Sequence, residues 1–134
     1  MRFELVSPER RLASIDARAV SIPGADGDLT AMEGHVPTIT SLRPGLLVVD
    51  TGSGEERYAV TGGFAEIGEG VTVLAEKALH VSDLSQEVYD DWVQEARAKR
   101  ADAPEDGVDE AVKLMADMVA MGGHIGLDPK QANL

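Results

Sequence analysis

The chain has 134 residues, and its 12 Lys and Arg against 24 Asp and Glu leave a formal net charge of -12. That balance excludes a duplex-binding protein, whose affinity comes from cations displacing counterions from phosphates, and five aromatic residues are too few for a stacking platform on bases or sugars. The absence of Cys removes disulfides, thiolate nucleophiles and Cys-ligated zinc, and the longest apolar run, Leu46–Val49, falls far short of the roughly 18 residues a membrane span needs.

The start, Met1-Arg2-Phe3-Glu4-Leu5, has neither a signal core nor an Arg/Ser-rich transit character, so a soluble acidic protein is expected, with no direct insertion into lipid. Residues 1–84 hold ten of the 14 Gly and four of the six Pro. Between them lie short apolar runs: Phe3–Ser7, Ala19–Ile22, Leu29–Met32, Thr38–Leu42, Leu46–Asp50, Arg57–Val60, Phe64–Ile67, Val71–Ala75 and Leu79–Val81. Such runs, rich in Val, Ile, Leu and Thr, predict antiparallel strands, because each is too short for a crossover helix. Two sheets face to face would bury their apolar sides, so an all-β N-terminal sandwich is expected over 1–84. Gly24-Ala25-Asp26-Gly27, Gly62-Gly63 and Gly68-Glu69-Gly70 supply residues that tolerate positive φ and are read as turns.

After Asp83 the apolar period becomes 3.6. Asp83 with Gln86, or Ser85, can cap a first helix in which Val88, Tyr89, Trp92, Val93 and Ala96 share one face and Glu95 pairs with Lys99. Ala101–Gly107 reads as a turn. A second helix is predicted from Val108 to Met121, with Val108, Ala111, Val112, Met115, Met118 and Val119 as its stripe and Gly122-Gly123 as its stop. The C-terminal half, 85–134, is therefore a two-helix antiparallel hairpin with a frayed tail from His124.

No catalytic, metal or cofactor site can be assembled from spacing. His35, His80 and His124 are far apart and lack a metal-ligand spacing, and His35 in its Gly-rich segment reads as a turn-stabilising hydrogen-bonder. Gly52-Ser53-Gly54-Glu55-Glu56-Arg57 starts like a nucleotide fingerprint but ends in Arg between two strands, so it reads as a hairpin loop. Asp106-Gly107 and Asp109-Glu110 lack the spacing of a calcium loop. Met115, Met118 and Met121 suit either helix packing or an adaptable partner face.

Three ordered motifs are more specific. Ile22-Pro23-Gly24-Ala25-Asp26-Gly27-Asp28-Leu29, then Glu33-Gly34-His35-Val36-Pro37, then Leu42-Arg43-Pro44-Gly45 resemble the epsilon subunits of F-type ATP synthases. Phe3–Pro8, Val60–Glu66 and Val71–Ala75 extend the likeness across about residues 2–84. The resemblance implies a non-catalytic rotor part at the foot of the central stalk, on the cytoplasmic face of a bacterial inner membrane. Its implied partners are the gamma subunit and the ring of c subunits, with the alpha and beta subunits as further candidates. It also implies a ring-facing surface at Ala25, Asp26, Gly27, Asp28 and Leu29 together with His35, Val36, Pro37 and Thr38. In that family the ring presents polar loops containing Arg, to which Asp26 and Asp28 offer the opposite charge.

The second half departs from the family. Bacterial relatives that bind ATP carry I/L-D-x-x-R-A at the start of the helical domain. Here Leu84-Ser85-Gln86-Glu87-Val88-Tyr89 replaces Asp, Arg and Ala by Ser, Val and Tyr. The phosphate-pairing Arg is gone, so no nucleotide cofactor is expected. Relatives that inhibit ATP hydrolysis extend a basic second helix towards an acidic segment of the beta subunit. This one has Lys113 against Asp109, Glu110 and Asp117, and about 14 residues would span only roughly 21 Å. Weak or absent inhibition is expected; the alternative is a regulatory subunit whose helices inhibit hydrolysis. A β-sandwich hydrolase or an unrelated adaptor would leave the three ordered motifs unexplained.

Overall fold

The computed structural model describes the backbone of residues 1–101 and 108–127, and the side chains of 1–98 and 112–127. The chain divides into two compact units, Met1–Val81 and Ser82–Leu134.

The first unit is an eight-stranded β-sandwich. Its strands are β1 (Arg2–Val6), β2 (Arg11–Asp16), β3 (Ala19–Gly24), β4 (Gly27–Met32), β5 (Thr38–Ser41), β6 (Gly45–Asp50), β7 (Glu55–Ile67) and β8 (Val71–His80). Hydrogen bonding is continuous in the order β2-β1-β8-β7-β6-β3-β4, and β5 pairs with β7. The long β7 makes this possible. Residues 55–60 pair with β6, residues 64–67 pair with β5, and β8 runs along the other edge.

Alternate side chains point into the core, as a half-buried strand requires. Phe3 and Leu5 of β1, Val20 and Ile22 of β3, and Leu47 and Val49 of β6 are all at most 1% exposed. In β7 the alternation changes phase. Tyr58 and Val60 face the core before the double glycine, and Ala65 and Ile67 after it. Gly62 (φ 60°) and Gly63 (φ 105°) rotate the strand between the two halves.

Four expectations are corrected here. Arg11–Asp16 forms a strand that no apolar run announced, because only the small Ala13 is fully buried in it. Arg57–Val60 and Phe64–Ile67 are one strand, so Gly62-Gly63 is a twist within β7 and not a turn. Val71–Ala75 and Leu79–Val81 are likewise joined as β8, which ends at His80. The pairing is not wholly antiparallel, since β1 lies parallel to β8.

A short 3₁₀ turn, Val81–Asp83, precedes α1 (Gln86–Ala101) and α2 (Val108–His124). Ser85 is the cap: its hydroxyl accepts the Val88 amide at 3.2 Å. Tyr89, Trp92, Val93 and Ala96 are buried on α1, and Met115, Met118 and Met121 on α2, so the methionines are packing residues. The Glu95–Lys99 pair and the 102–107 part of the expected turn lie outside the described side chains or residues, as do the side chains of Val108 and Ala111.

The helix α2 runs three residues beyond Met121, through Gly122-Gly123. Gly122 is there for close approach: a Cβ would lie 2.2 Å from the Tyr89 hydroxyl oxygen. That hydroxyl donates to the Met118 carbonyl at 3.1 Å. The stop is Gly126, at φ 78°, where the Leu127 amide reaches back to the Gly122 carbonyl at 2.8 Å and the Gly126 amide to Gly123.

Candidate functional site

The β3–β4 hairpin ends in a two-residue turn, Ala25-Asp26, closed by the facing pair Gly24 and Gly27. The positive φ falls on Gly27 (138°). Gly27, Asp28 and Leu29 thus belong to β4, while Ala25 and Asp26 form the turn. All of Ala25–Asp28 is exposed, and Leu29 is half-buried.

The segment Leu42–Gly45 builds the floor of this tip. Leu42 bridges Gly24, the Ala25 amide donates to the Ser41 carbonyl at 2.8 Å, and the Arg43 amide donates to the Pro23 carbonyl at 3.0 Å. Pro23 lies on Gly45, where a Cβ would come within 2.7 Å of the proline Cβ. The Arg43 guanidinium donates to the Gly24 carbonyl and to the Asp28 carboxylate. The motifs around Pro23-Gly24 and Leu42-Gly45, 19 residues apart, are two halves of one construction. Of the two tip carboxylates, both expected to offer charge to the ring, Asp28 is paired with Arg43, whereas Asp26 has no ion pair to a described residue.

The Gly34–Thr38 turn is held from within. Gly34 takes φ 85°, the His35 amide donates to Met32 at 3.0 Å, and Thr38 Oγ1 donates to the Val36 carbonyl at 2.8 Å. His35 Nδ1 lies 2.7 Å from the same carbonyl, which fixes the proton on Nδ1 and makes the ring a turn-stabilising donor. Val36 and Pro37 are exposed. Among the described residues no hydrogen bond joins this turn to the hairpin tip. β5 joins the two, with Ser41 at the tip and Thr38 about 10 Å back along the strand.

The structure also exposes apolar side chains that strand periodicity alone could not assign. On the outer face Phe64 of β7 stands opposite Leu74 of β8, and Leu74 opposite Val6 of β1. Ile39 of β5 faces Glu66 and is therefore diagonal to Phe64. Ile39 is 72% exposed, Phe64 56% and Leu74 55%. The signal was present as alternation, since these are the out-facing positions of their strands. Exposure at those positions is a tertiary fact.

Two other charged pairs are structural. His80 Nε2 lies 2.6 Å from Glu56, edge-on to Tyr58, whose hydroxyl pKa is raised by burial and then by the Glu56 charge. Asp50 accepts the Gly52 amide and the Arg18 guanidinium, and these hold its carboxyl below the usual range. Among the described residues no group of three His, Asp or Glu is placed to hold a metal ion.

Residues 1–81 match the family model for the β-sandwich domain of the ATP synthase delta/epsilon chain. The ATP synthase epsilon chain of Paracoccus denitrificans is 54% identical, with 99% of this chain and 95% of that protein covered. That of Rhodobacter capsulatus is 56% identical over 95% and 97%. The chain belongs to the ATP synthase epsilon family.

A chain of the Euglena gracilis mitochondrial ATP synthase shares the fold at a TM-score of 0.62 and 24% identity, covering 86% of this chain and 74% of that one. An epsilon chain is a non-catalytic subunit of the membrane-associated synthase, part of its central stalk, and serves ATP synthesis and ion transport. In the helical unit Val88 is half-buried, and the next residue, Tyr89, is wholly buried against α2. Lys113 is spent on Asp117, 2.7 Å away on its own helix.

Proposed function

We propose that this epsilon chain joins the gamma subunit to the c-ring at the cytoplasmic face of a bacterial inner membrane, and that it brakes ATP hydrolysis weakly or not at all. The sandwich, about residues 1–84, is the coupling part; the helical hairpin, 85–134, is not a brake. The observation that carries the coupling role is the outward Ile39–Phe64–Leu74 face in the same unit as the clasped acidic tip. One unit then offers a desolvating apolar seat for a stalk partner and a polar, charged tip for the ring loops. Apolar area supplies affinity, while the opposed charges set register and orientation.

Two facts favour the absence of a brake. Lys113 already has a carboxylate partner on α2. At 17 residues α2 spans about 26 Å, longer than the sequence suggested, but it carries net negative charge towards an acidic target.

The test is reconstitution of the alpha–beta–gamma assembly and the c-ring with the full chain. Co-elution with little change in ATP hydrolysis, and restored proton-driven synthesis, is expected. The variant Phe64→Ser/Leu74→Ser should keep its circular dichroism yet elute apart from gamma. Strong suppression of hydrolysis by the full chain, lost on deleting residues 85–134, would establish the inhibitory reading instead.

A further inference from the structure

The two carboxylates of the β3–β4 tip are chemically unequal. Asp26 projects from the turn itself and makes no hydrogen bond or ion pair to any described residue. Asp28, one residue beyond Gly27, accepts from Arg43 Nη2, while Nη1 of the same guanidinium donates to the Gly24 carbonyl. The Arg43 side chain is only 25% exposed, against 76% for Asp28, so the cation is the anchored member and the carboxylate is drawn to it. The Arg43 amide adds a third link, to Pro23, and the turn is held from below by Ala25 on Ser41. Every strand entering or leaving the tip is therefore tied to Ser41–Arg43.

A planar guanidinium is suited to this task. Its two terminal nitrogens point in fixed directions and can bridge a carbonyl on one strand and a carboxylate on the next. An ammonium is a single point charge and can neutralise Asp28 without fixing the fork.

We propose that Arg43 is the positioning residue of this tip, that Asp28 is its internal counter-ion, and that Asp26 alone presents negative charge to a basic loop of the ring. The assignment rests on the reading that this tip seats on the ring. Arg43 and Asp28 cancel locally, so the outward field at the turn is that of one carboxylate.

The experiment measures two quantities on the full chain: amide exchange at Ala25 and Arg43 in the free protein, and salt-dependent attachment to the purified c-ring in the reconstituted synthase. Arg43→Met and Asp28→Asn should accelerate exchange about tenfold, Arg43→Lys less, and Asp26→Asn not at all. Asp26→Asn should weaken attachment about threefold to tenfold and flatten its salt dependence. Unchanged exchange in Arg43→Met overturns the positioning role. Loss of salt dependence in Asp28→Asn with native exchange rates overturns the choice of Asp26. If exchange responds as expected but no variant alters attachment, the clasp stands and the seat of this tip on the ring is refuted, together with Asp26 as its reader.

Discussion

Replacing Gly63 by alanine tests the phase change in β7 that lets one strand serve both layers of the sandwich. An alanine Cβ there would lie 1.9 Å from the Leu74 carbonyl oxygen and 2.9 Å from the Ala75 Cα, against a practical limit of 3.0 Å. Both obstacles are backbone of the neighbouring strand, so no side chain can swing aside. β7 and β8 must separate by more than an ångström at the Gly63–Ala75 and Phe64–Leu74 pairs. Losing about two ladder hydrogen bonds at roughly 1 kcal/mol each, with ~1–2 kcal/mol for a side chain at positive φ, amounts to about 3–4 kcal/mol. That is a large share of the roughly 5–15 kcal/mol typical of a domain, and corresponds to a fall of about 2 M in the urea midpoint. Far-UV circular dichroism follows sandwich and helices together, and Trp92 emission follows α1 alone, so a circular-dichroism change without an emission change reports on the sandwich. Gly54→Ala, with ordinary φ and nothing within 4 Å of its Cβ, is the control and should match the wild type within a few tenths of a kcal/mol. A Gly63→Ala midpoint within about 0.5 M of wild type would refute the steric reasoning.

Other perturbations follow from the same geometry. Tyr89→Phe removes the hydroxyl bonded to the Met118 carbonyl and should destabilise the helical unit by about 1 kcal/mol, read from Trp92 emission in urea. Gly122→Ala should cost more, because its Cβ would lie 2.2 Å from the phenol oxygen; equal effects would argue against the close approach. Ser85→Ala should lower the same midpoint by the ~1 kcal/mol of a lost cap. Asp50 carries a pH signature. Its pKa is lowered in the fold, so its contribution is complete above the ordinary value of 3.8 and is lost as pH falls through the lower folded value. The stability gap between wild type and Asp50→Asn should therefore be constant at neutral pH and close only in acid, and a gap that closes between pH 7 and 5 would contradict this.

The helical half illustrates how a local rule can be right about a residue type and wrong about its purpose. Two adjacent glycines after an amphipathic run read as a helix stop, since glycine is the usual C-terminal cap. In the fold Gly122 lies under the Tyr89 ring, and the stop comes at Gly126. Gly62-Gly63 repeats the lesson in β7, where positive φ was expected correctly and a turn was not the result. A glycine's freedom is visible in sequence. Whether that freedom turns the chain, twists it or admits a neighbour depends on what packs beside it.

Composition and period settled the architecture. Alternating runs of Val, Ile and Leu must bury one side, a 3.6-residue stripe must bury another, and neither needs a distant residue to be recognised. The weak strand Arg11–Asp16 escaped because its buried residue is a small alanine, and the parallel β1–β8 pairing because register between distant segments leaves no local trace. The residues proposed to meet the ring and the stalk divide along the same line. Asp26 and Asp28 are equivalent as letters, two positions apart on an acidic tip. Only the approach of Arg43 across the sheet distinguishes them, because an ion pair depends on distance in space. Exposure of Ile39, Phe64 and Leu74 is decided in the same way, by which strands lie side by side and what leaves their outer face uncovered.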